Sequence, residues 1–283
     1  MEDKKIKFQA SSQEFFIYPL RGWQAINWRE LWSYRELFYF LTWKEIKVRY
    51  KQTAIGIFWA IIQPFLTMVI FSLFFGKFAK IESEGVPYPV FVYLGLLPWT
   101  YFSQSLSRST ECLIGNSSLL RKIYFPRLII PVSIGLSYLI DFLIAFVILF
   151  GVMFYYQFVP QKAIVFMPIL IIQTFLCGVG FGFWLSALNV LYRDVRYVVP
   201  FLLQIWLFVT PVIYPVSLVD ENWRWILSLN PLWGLVEGYR ALVIADKPIP
   251  YAALGVSAVI ILFILITGVY FFRRVEKHFA DLV

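Results

Sequence analysis

Six apolar runs, each long enough to cross a lipid bilayer, dominate the 283-residue chain, at roughly 56–76, 89–107, 130–156, 163–188, 197–216 and 251–272. A helix rising about 1.5 Å per residue needs about 20 such residues to cross ~30 Å of hydrocarbon. Stretches such as LIDFLIAFVILFGVMF and AVIILFILITGVYFF are apolar on every side and lack the alternation of a lipid-facing strand, which points to helices rather than a barrel. The chain is 60% apolar and only 15% charged, whereas a water-exposed surface carries roughly 25–35% charged residues. A soluble enzyme is excluded. The predicted fold class is an all-α integral membrane protein with six transmembrane helices.

An even number of spans puts both termini on one side, so basic residues can be counted for each face. One face carries nineteen Lys and Arg, ten of them within residues 1–55, and the other carries six together with six acids. The richer face is the cytosolic one, so both termini of a multi-pass membrane protein are expected in the cytosol. The opening MEDKKIKFQASSQEFF has no apolar run of about 7–15 residues behind a basic start, so no cleavable signal peptide is expected. The net charge of +8 also suits nucleic acid, but its distribution beside apolar spans reads as orientation, and no nucleic-acid partner is expected.

Three segments resist being simple loops. Residues 37–51 place Tyr39, Trp43, Ile46 and Tyr50 on one helical face and Lys44, Lys47 and Lys51 on another, with Arg49 near the end. The pattern predicts a helix lying in the cytosolic interface; the alternative is an ordinary cytosolic helix, for which residues 1–36 supply little core. Residues 116–127 offer Asn116, Ser117 and Ser118 as N-cap candidates, a basic pair and Pro126 as a stop, which predicts a short cytosolic helix. Residues 220–250 hold Trp223, Trp225, Trp233 and Tyr239, and Asn230-Pro231 breaks two helical stretches too short to cross. They read as a re-entrant or interfacial helical hairpin on the outer face.

The chemistry that is missing narrows the function. Gly76-Lys77 is the one Gly-Lys pair and is followed by Phe78, so no phosphate-binding loop is present and the chain cannot itself bind ATP in that way. Cys112, Cys177 and His278 stand apart, too few for a metal or disulfide framework. Asp141 is the one acid well inside a span, poor material for carboxylate catalysis or a secondary transporter. It reads either as lining a watery path or as a buried group bonded to Ser137, Tyr138 or a neighbouring helix. Gly178 and Gly182 form a small-xxx-small pair suited to close helix packing or to dimerisation. One residue in five is aromatic. Single rings near span ends read as lipid contacts or interface anchors, but as a set they suit a path along which sugar rings stack and slide.

RYKQTAIGIFWAIIQPFLTMVIFSLFFGKF, then YLGLLPWTYFSQSLSRSTECLIGNSSLLRKIYFPRLIIP, and later NVLYRDVRYVVPFLLQIWLFVTPVIYP and LNPLWGLVEGYRALV together resemble the permease subunit of polysaccharide-exporting ABC transporters. The resemblance spans about residues 34–275 in order. It implies a domain plan of a cytosolic segment, 1–36, followed by a six-span exporter domain, 37–283. It implies a homodimer forming the channel with two separate ABC ATPase subunits, which hold the ATP and magnesium; no cofactor and no catalytic residue is expected in this chain.

The substrate that the resemblance implies is a lipid-linked glycan, foremost O-antigen on undecaprenyl diphosphate feeding lipopolysaccharide biosynthesis, with teichoic acid or capsule as the alternative. A drug or peptide exporter would keep six spans but lack the interfacial helix and outer hairpin, and an integral glycosyltransferase would need a soluble catalytic domain. The family's ATPase-coupling role carries over to Asn116, Leu120, Arg121, Lys122 and Tyr124. Its interfacial helix falls on Tyr39, Trp43, Lys44, Lys47, Arg49 and Lys51, and its outer hairpin on Trp223, Asn230, Pro231, Glu237 and Arg240. The expected substrate path is lined foremost by Trp59, Phe65, Trp206 and Phe208, includes Tyr101, and has Trp99 and Tyr214 nearer its outer mouth.

Overall fold

The structure, a computed structural model, describes residues 28–51, 53, 56–245, 247–277 and 279. Residues 1–27 of the expected N-terminal segment, Asp246 and His278 lie outside the described residues. Among those described there are helices and no strands. They run α1 Trp28–Ser33, α2 Arg35–Tyr50, α3 Trp59–Phe71, α4 Tyr88–Gly115, α5 Ser117–Lys122, α6 Ile129–Tyr155, α7 Met167–Leu191, α8 Val195–Val209, α9 Glu221–Ser228, α10 Pro231–Val243 and α11 Tyr251–Glu276. A 3-10 turn at Gly56–Phe58 leads into α3, a π-helical stretch at Ser72–Phe78 continues it, and another 3-10 turn at Lys162–Phe166 opens α7. Four continuous helical segments are long and apolar enough to span a membrane: Gly56–Phe78, Ile129–Tyr155, Lys162–Leu191 and Tyr251–Glu276.

The other two expected spans differ from their sequence outline. α4 does not stop near residue 107 but continues to Gly115. It packs on α3, α6, α7, α8 and α10, so protein rather than lipid surrounds it. Hydropathy is a measure of fitness for lipid, and this helix is free to carry buried Ser105, Ser109 and Thr110. Thr110 returns its hydroxyl to the Leu106 carbonyl at 2.8 Å.

α8 ends at Val209, not at 216. Thr210 is extended, at φ −85° and ψ 132°, as the residue before Pro211 tends to be. Its fifteen residues rise only about 22 Å. The apolar letters continue through Pro215, but the helix does not. An unwound backbone surrounded by apolar groups is tolerated only when its carbonyls find donors, and here they do: Arg240 Nη2 donates to the Val212 carbonyl at 2.8 Å and the Tyr88 hydroxyl to that of Ile213 at 2.7 Å.

Glycines set the closest helix contacts. A Cβ on Gly234 of α10 would lie 2.5 Å from the Ala253 carbonyl oxygen and 2.2 Å from Ser257 Oγ of α11. Gly178 and Gly182 face Tyr101 and Ser109 of α4, at 3.1 Å for each such Cβ. The small-residue face is thus occupied within the chain, which selects close packing over dimerisation for that pair.

Candidate functional site

The helix before the first span forms where the periodicity put it, as α2. Its inward stripe is not the aromatic one. Leu41 and Glu45 are buried, whereas Tyr39 and Trp43 are exposed and Ile46 and Tyr50 half-buried. The aromatic stripe is displaced because three polar contacts fix the rotation of the helix. Lys44 Nζ donates to Asn116 Oδ1 at 2.8 Å. Glu45 pairs with Arg108 of α4 at 3.1 Å. Arg49 pairs with Asp141 of α6 and donates to Ser137 Oγ at 3.0 Å. Lys47 sits 5.5 Å from the Trp43 ring and Lys51 is exposed.

Asp141 therefore has partners, and its principal one is a residue the sequence reading placed on the interfacial helix. The Tyr50 hydroxyl donates to the other carboxylate oxygen at 2.6 Å, and the Arg49 guanidinium lies 3.6 Å from the Tyr138 ring centre. Burial and the adjacent carboxylate push the Tyr50 phenol above its usual range, so it stays a proton donor. The bonded reading of Asp141 holds, with α2 as the neighbouring helix, and the same carboxylate also borders a cavity of about 230 Å³ between α2, α3, α4 and α6.

The expected path residues fall into two settings. Trp59 and Phe65 on α3 and Phe208 on α8 are exposed on the surface of the single chain, in the two long apolar elements with the least intramolecular cover. Trp99 is buried beside Phe102, with ring centres 6.2 Å apart, and is a packing residue rather than a mouth residue. Trp206 packs edge-on against Phe102 and Phe181 at 5.2 and 5.3 Å and donates to Asn230 Oδ1 at 3.2 Å, which makes it a strut between α4, α7 and the hairpin. Tyr101 is buried, its hydroxyl on the Gly135 carbonyl at 3.2 Å, while part of its ring lines the cavity. Tyr214 is half-buried and donates to the Phe208 carbonyl at 3.0 Å across the unwound turn.

The basic loop forms the short helix α5, with Ile123 extended after it and Pro126 beyond. Arg121, Lys122 and Tyr124 are exposed. Leu120 packs toward the core. Asn116 departs from its expected role: it sits at the N-cap position but does not cap α5. It is buried, its Nδ2 donates back to the Cys112 carbonyl at 2.9 Å, and its Oδ1 is taken by Lys44. It joins α2 to the α4–α5 corner instead of facing outward.

The segment expected as a hairpin holds two helices, α9 and α10, with the break at Asn230-Pro231 where the letters suggested. Asn230 caps α10 by accepting from the Leu232 N–H at 3.1 Å and donates to Thr210 Oγ1 at 2.9 Å. Pro231 takes the first helical position, where its missing N–H costs nothing. Trp223 is exposed on α9. The two charges in this element carry a role the sequence did not reveal. Arg240 is fully buried, pairs with Glu237 at 2.9 Å and stacks 3.6 Å from the centre of the Phe91 ring. Glu237 is shared with Lys247 at 2.8 Å, which also reaches Glu84 at 2.5 Å. The signal was present as a Glu and an Arg three apart in an otherwise apolar helix.

Comparison with known proteins covers most of this architecture. The chain is 30% identical over 240 residues to the O-antigen export system permease protein RfbA of Myxococcus xanthus, covering 83% of this chain and 91% of that one. It is 26% identical over 249 residues to a protein of the same name from Klebsiella pneumoniae, covering 88% and 95%. It is 25% identical over 241 residues to the polysialic acid transport protein KpsM of Escherichia coli, covering 83% and 91%. The family model of the ABC-2 type transporter matches residues 36–244, from the start of α2 to the end of α10. By that match the chain belongs to the ABC-2 type transporter family.

Proposed function

We propose that the chain is the channel-forming permease of an ATP-driven exporter that moves a lipid-linked polysaccharide, O-antigen on undecaprenyl diphosphate, from the cytosolic to the outer side of the inner membrane. The observation that carries this reading is the similarity to the O-antigen export permease of Myxococcus xanthus, which runs through nearly the whole of both chains. In this reading residues 37–283 are one transmembrane domain. α3, α4, α6, α7, α8 with its unwound continuation, and α11 are the six crossings, and both termini are cytosolic. Two copies meet through α3 and α8, whose apolar faces carry Trp59, Phe65 and Phe208 with little cover from their own chain. Aromatic faces stack weakly on sugar rings, at about 0.5–1.5 kcal/mol each, and let a polymer be passed from one ring to the next. Two ABC ATPase subunits hold ATP and magnesium and dock on α5.

A capsule-type substrate is the second reading, favoured by the similarity to the polysialic acid transport protein. The test is replacement. Introduced into an O-antigen exporter strain lacking its permease, together with the cognate ATPase, the chain is expected to restore long surface O-antigen and clear lipid-linked glycan from the cytosolic leaflet. Purified alone it should hydrolyse no ATP. Hydrolysis by the chain itself, or no restoration of either O-antigen or capsule, overturns the reading.

A further inference from the structure

One side of α4 is polar along its second half. Thr100, Ser103, Gln104, Ser107, Arg108 and Glu111 follow one another at helical spacing on a single face. That face fronts two adjoining cavities. The first, about 230 Å³, is lined by Thr100 and Gln104 together with Gln63 and Trp59 of α3, Tyr93 and Tyr101 of α4, and the Arg49–Asp141 pair. The second, about 340 Å³ and more open, shares Gln104 and Tyr138 with the first and runs past Arg108 and Glu111. Together they make a groove along one copy of the chain, with Arg49 and Tyr50 of α2 beside the first cavity and Arg108 beside the second.

Three features of the groove select its occupant. Gln104, half-buried, and Gln63, exposed at the rim, bring side-chain amides to the cavity lining, each with a donor and an acceptor to offer. The exposed ring of Trp59 stands beside them, over a wall that includes the buried Tyr93 and Tyr101. The cations are already committed, Arg49 to Asp141 and Arg108 to Glu45, and each brings a carboxylate that repels an anion. A phosphate would have to break a pair to bind. A neutral polyhydroxylated ring would not: its hydroxyls both donate and accept, as the amides do, and its C–H faces suit the aromatic rings.

From this we infer that the groove between α2, α3, α4 and α6 of each protomer is a cytosolic subsite for one uncharged sugar ring of the glycan, held by the Gln63 and Gln104 amides and stacked on the Trp59 ring. The inference rests on the export reading and adds to it a place, built from one protomer's residues, where a sugar is held before Trp59 passes it into the shared path. A phospholipid with a polyol headgroup offers the same chemistry from another source.

The test uses the permease with its ATPase in a strain making the glycan. Photo-crosslinking with p-benzoylphenylalanine in place of Gln104 should give a permease adduct that reacts with a periodate-based glycan stain, and the same probe in place of Phe154, exposed at the far end of α6, should not. Gln63→Leu/Gln104→Leu should slow export about tenfold at limiting glycan, the loss expected for one or two hydrogen bonds, with the ATPase still co-purifying. A Gln104 adduct with phospholipid alone, or no adduct together with normal export by the double variant, overturns the subsite while wild-type export leaves the broader reading standing. Failure of the wild-type chain to export any glycan removes both.

Discussion

Replacing Glu237 by Gln and Arg240 by Met separates what the buried pair contributes from what its charges cost. Arg240 is fully buried, with the carboxylate of Glu237, the Val212 carbonyl and the Phe91 ring as its contacts. Glu237→Gln keeps the shape but leaves a guanidinium in the interior without its counter-charge, and removing one member of such a pair costs about 3–5 kcal/mol. Arg240→Met removes the charge along with the side chain's donors. Glu237 then keeps Lys247 as a partner at 2.8 Å, and the main loss is the unsatisfied Val212 carbonyl, about 1–3 kcal/mol. The arginine variant should therefore be the milder of the two. The double variant should lie near Arg240→Met alone, because the glutamine no longer strands a cation. Equilibrium unfolding in mixed micelles by SDS titration reads these values directly. If Arg240→Met proved as damaging as Glu237→Gln, or if the two losses simply added, the pair would not be the energetic unit described here.

The α10–α11 contact gives a steric test: Gly234→Ala should cost about 1–3 kcal/mol by overpacking against Ala253 and Ser257, whereas Gly151→Ala, with open space around its added Cβ, should be neutral or stabilising. The same SDS titration measures both, and equal effects would contradict the packing. Trp59→Ala should leave stability nearly unchanged while reducing export of long glycan. Trp206→Ala should cost about 3–5 kcal/mol because its ring fills space between Phe102 and Phe181. An unchanged melting profile for Trp206→Ala would return that ring to the path. Charge reversal at the exposed Arg121 and Lys122 should release the ATPase or uncouple transport, read as ATPase co-purified per permease and as surface glycan; unchanged values of both would remove α5 from the docking surface.

The lipid-facing helices were legible because hydrophobic length is a direct response to bilayer thickness, and α6, α7 and α11 begin and end within a few residues of their outlines. α4 and α8 were not, for opposite reasons. α4 is surrounded by protein and carries hydroxyls and charge that break the apolar run early, so its last eight residues lay beyond the outline. α8 is followed by letters as apolar as its own, and hydropathy does not report that the backbone has unwound at Thr210. The polar contacts of the site were hidden by distance along the chain. Arg49 and Asp141 are 92 residues apart, and Lys44 and Asn116 72. Each residue was noticed by itself, but periodicity relates only neighbours on one element. The aromatic residues show the same boundary from another side, since composition counts Trp99 and Trp59 alike and only packing separates a core ring from an exposed one.

The placement of α2 has a mechanical consequence for the groove beneath it. The helix grips α4 through Glu45–Arg108 and α6 through Arg49–Asp141, one turn apart on its own axis. It therefore works as a clasp across the seam between those two helices. While both pairs hold, α4 and α6 are kept at a fixed separation beneath α2. Because Lys44 is tied to Asn116 at the corner where α5 begins, the same helix joins that corner to the clasp, and the Glu45–Arg108 contact is the one beside it in sequence.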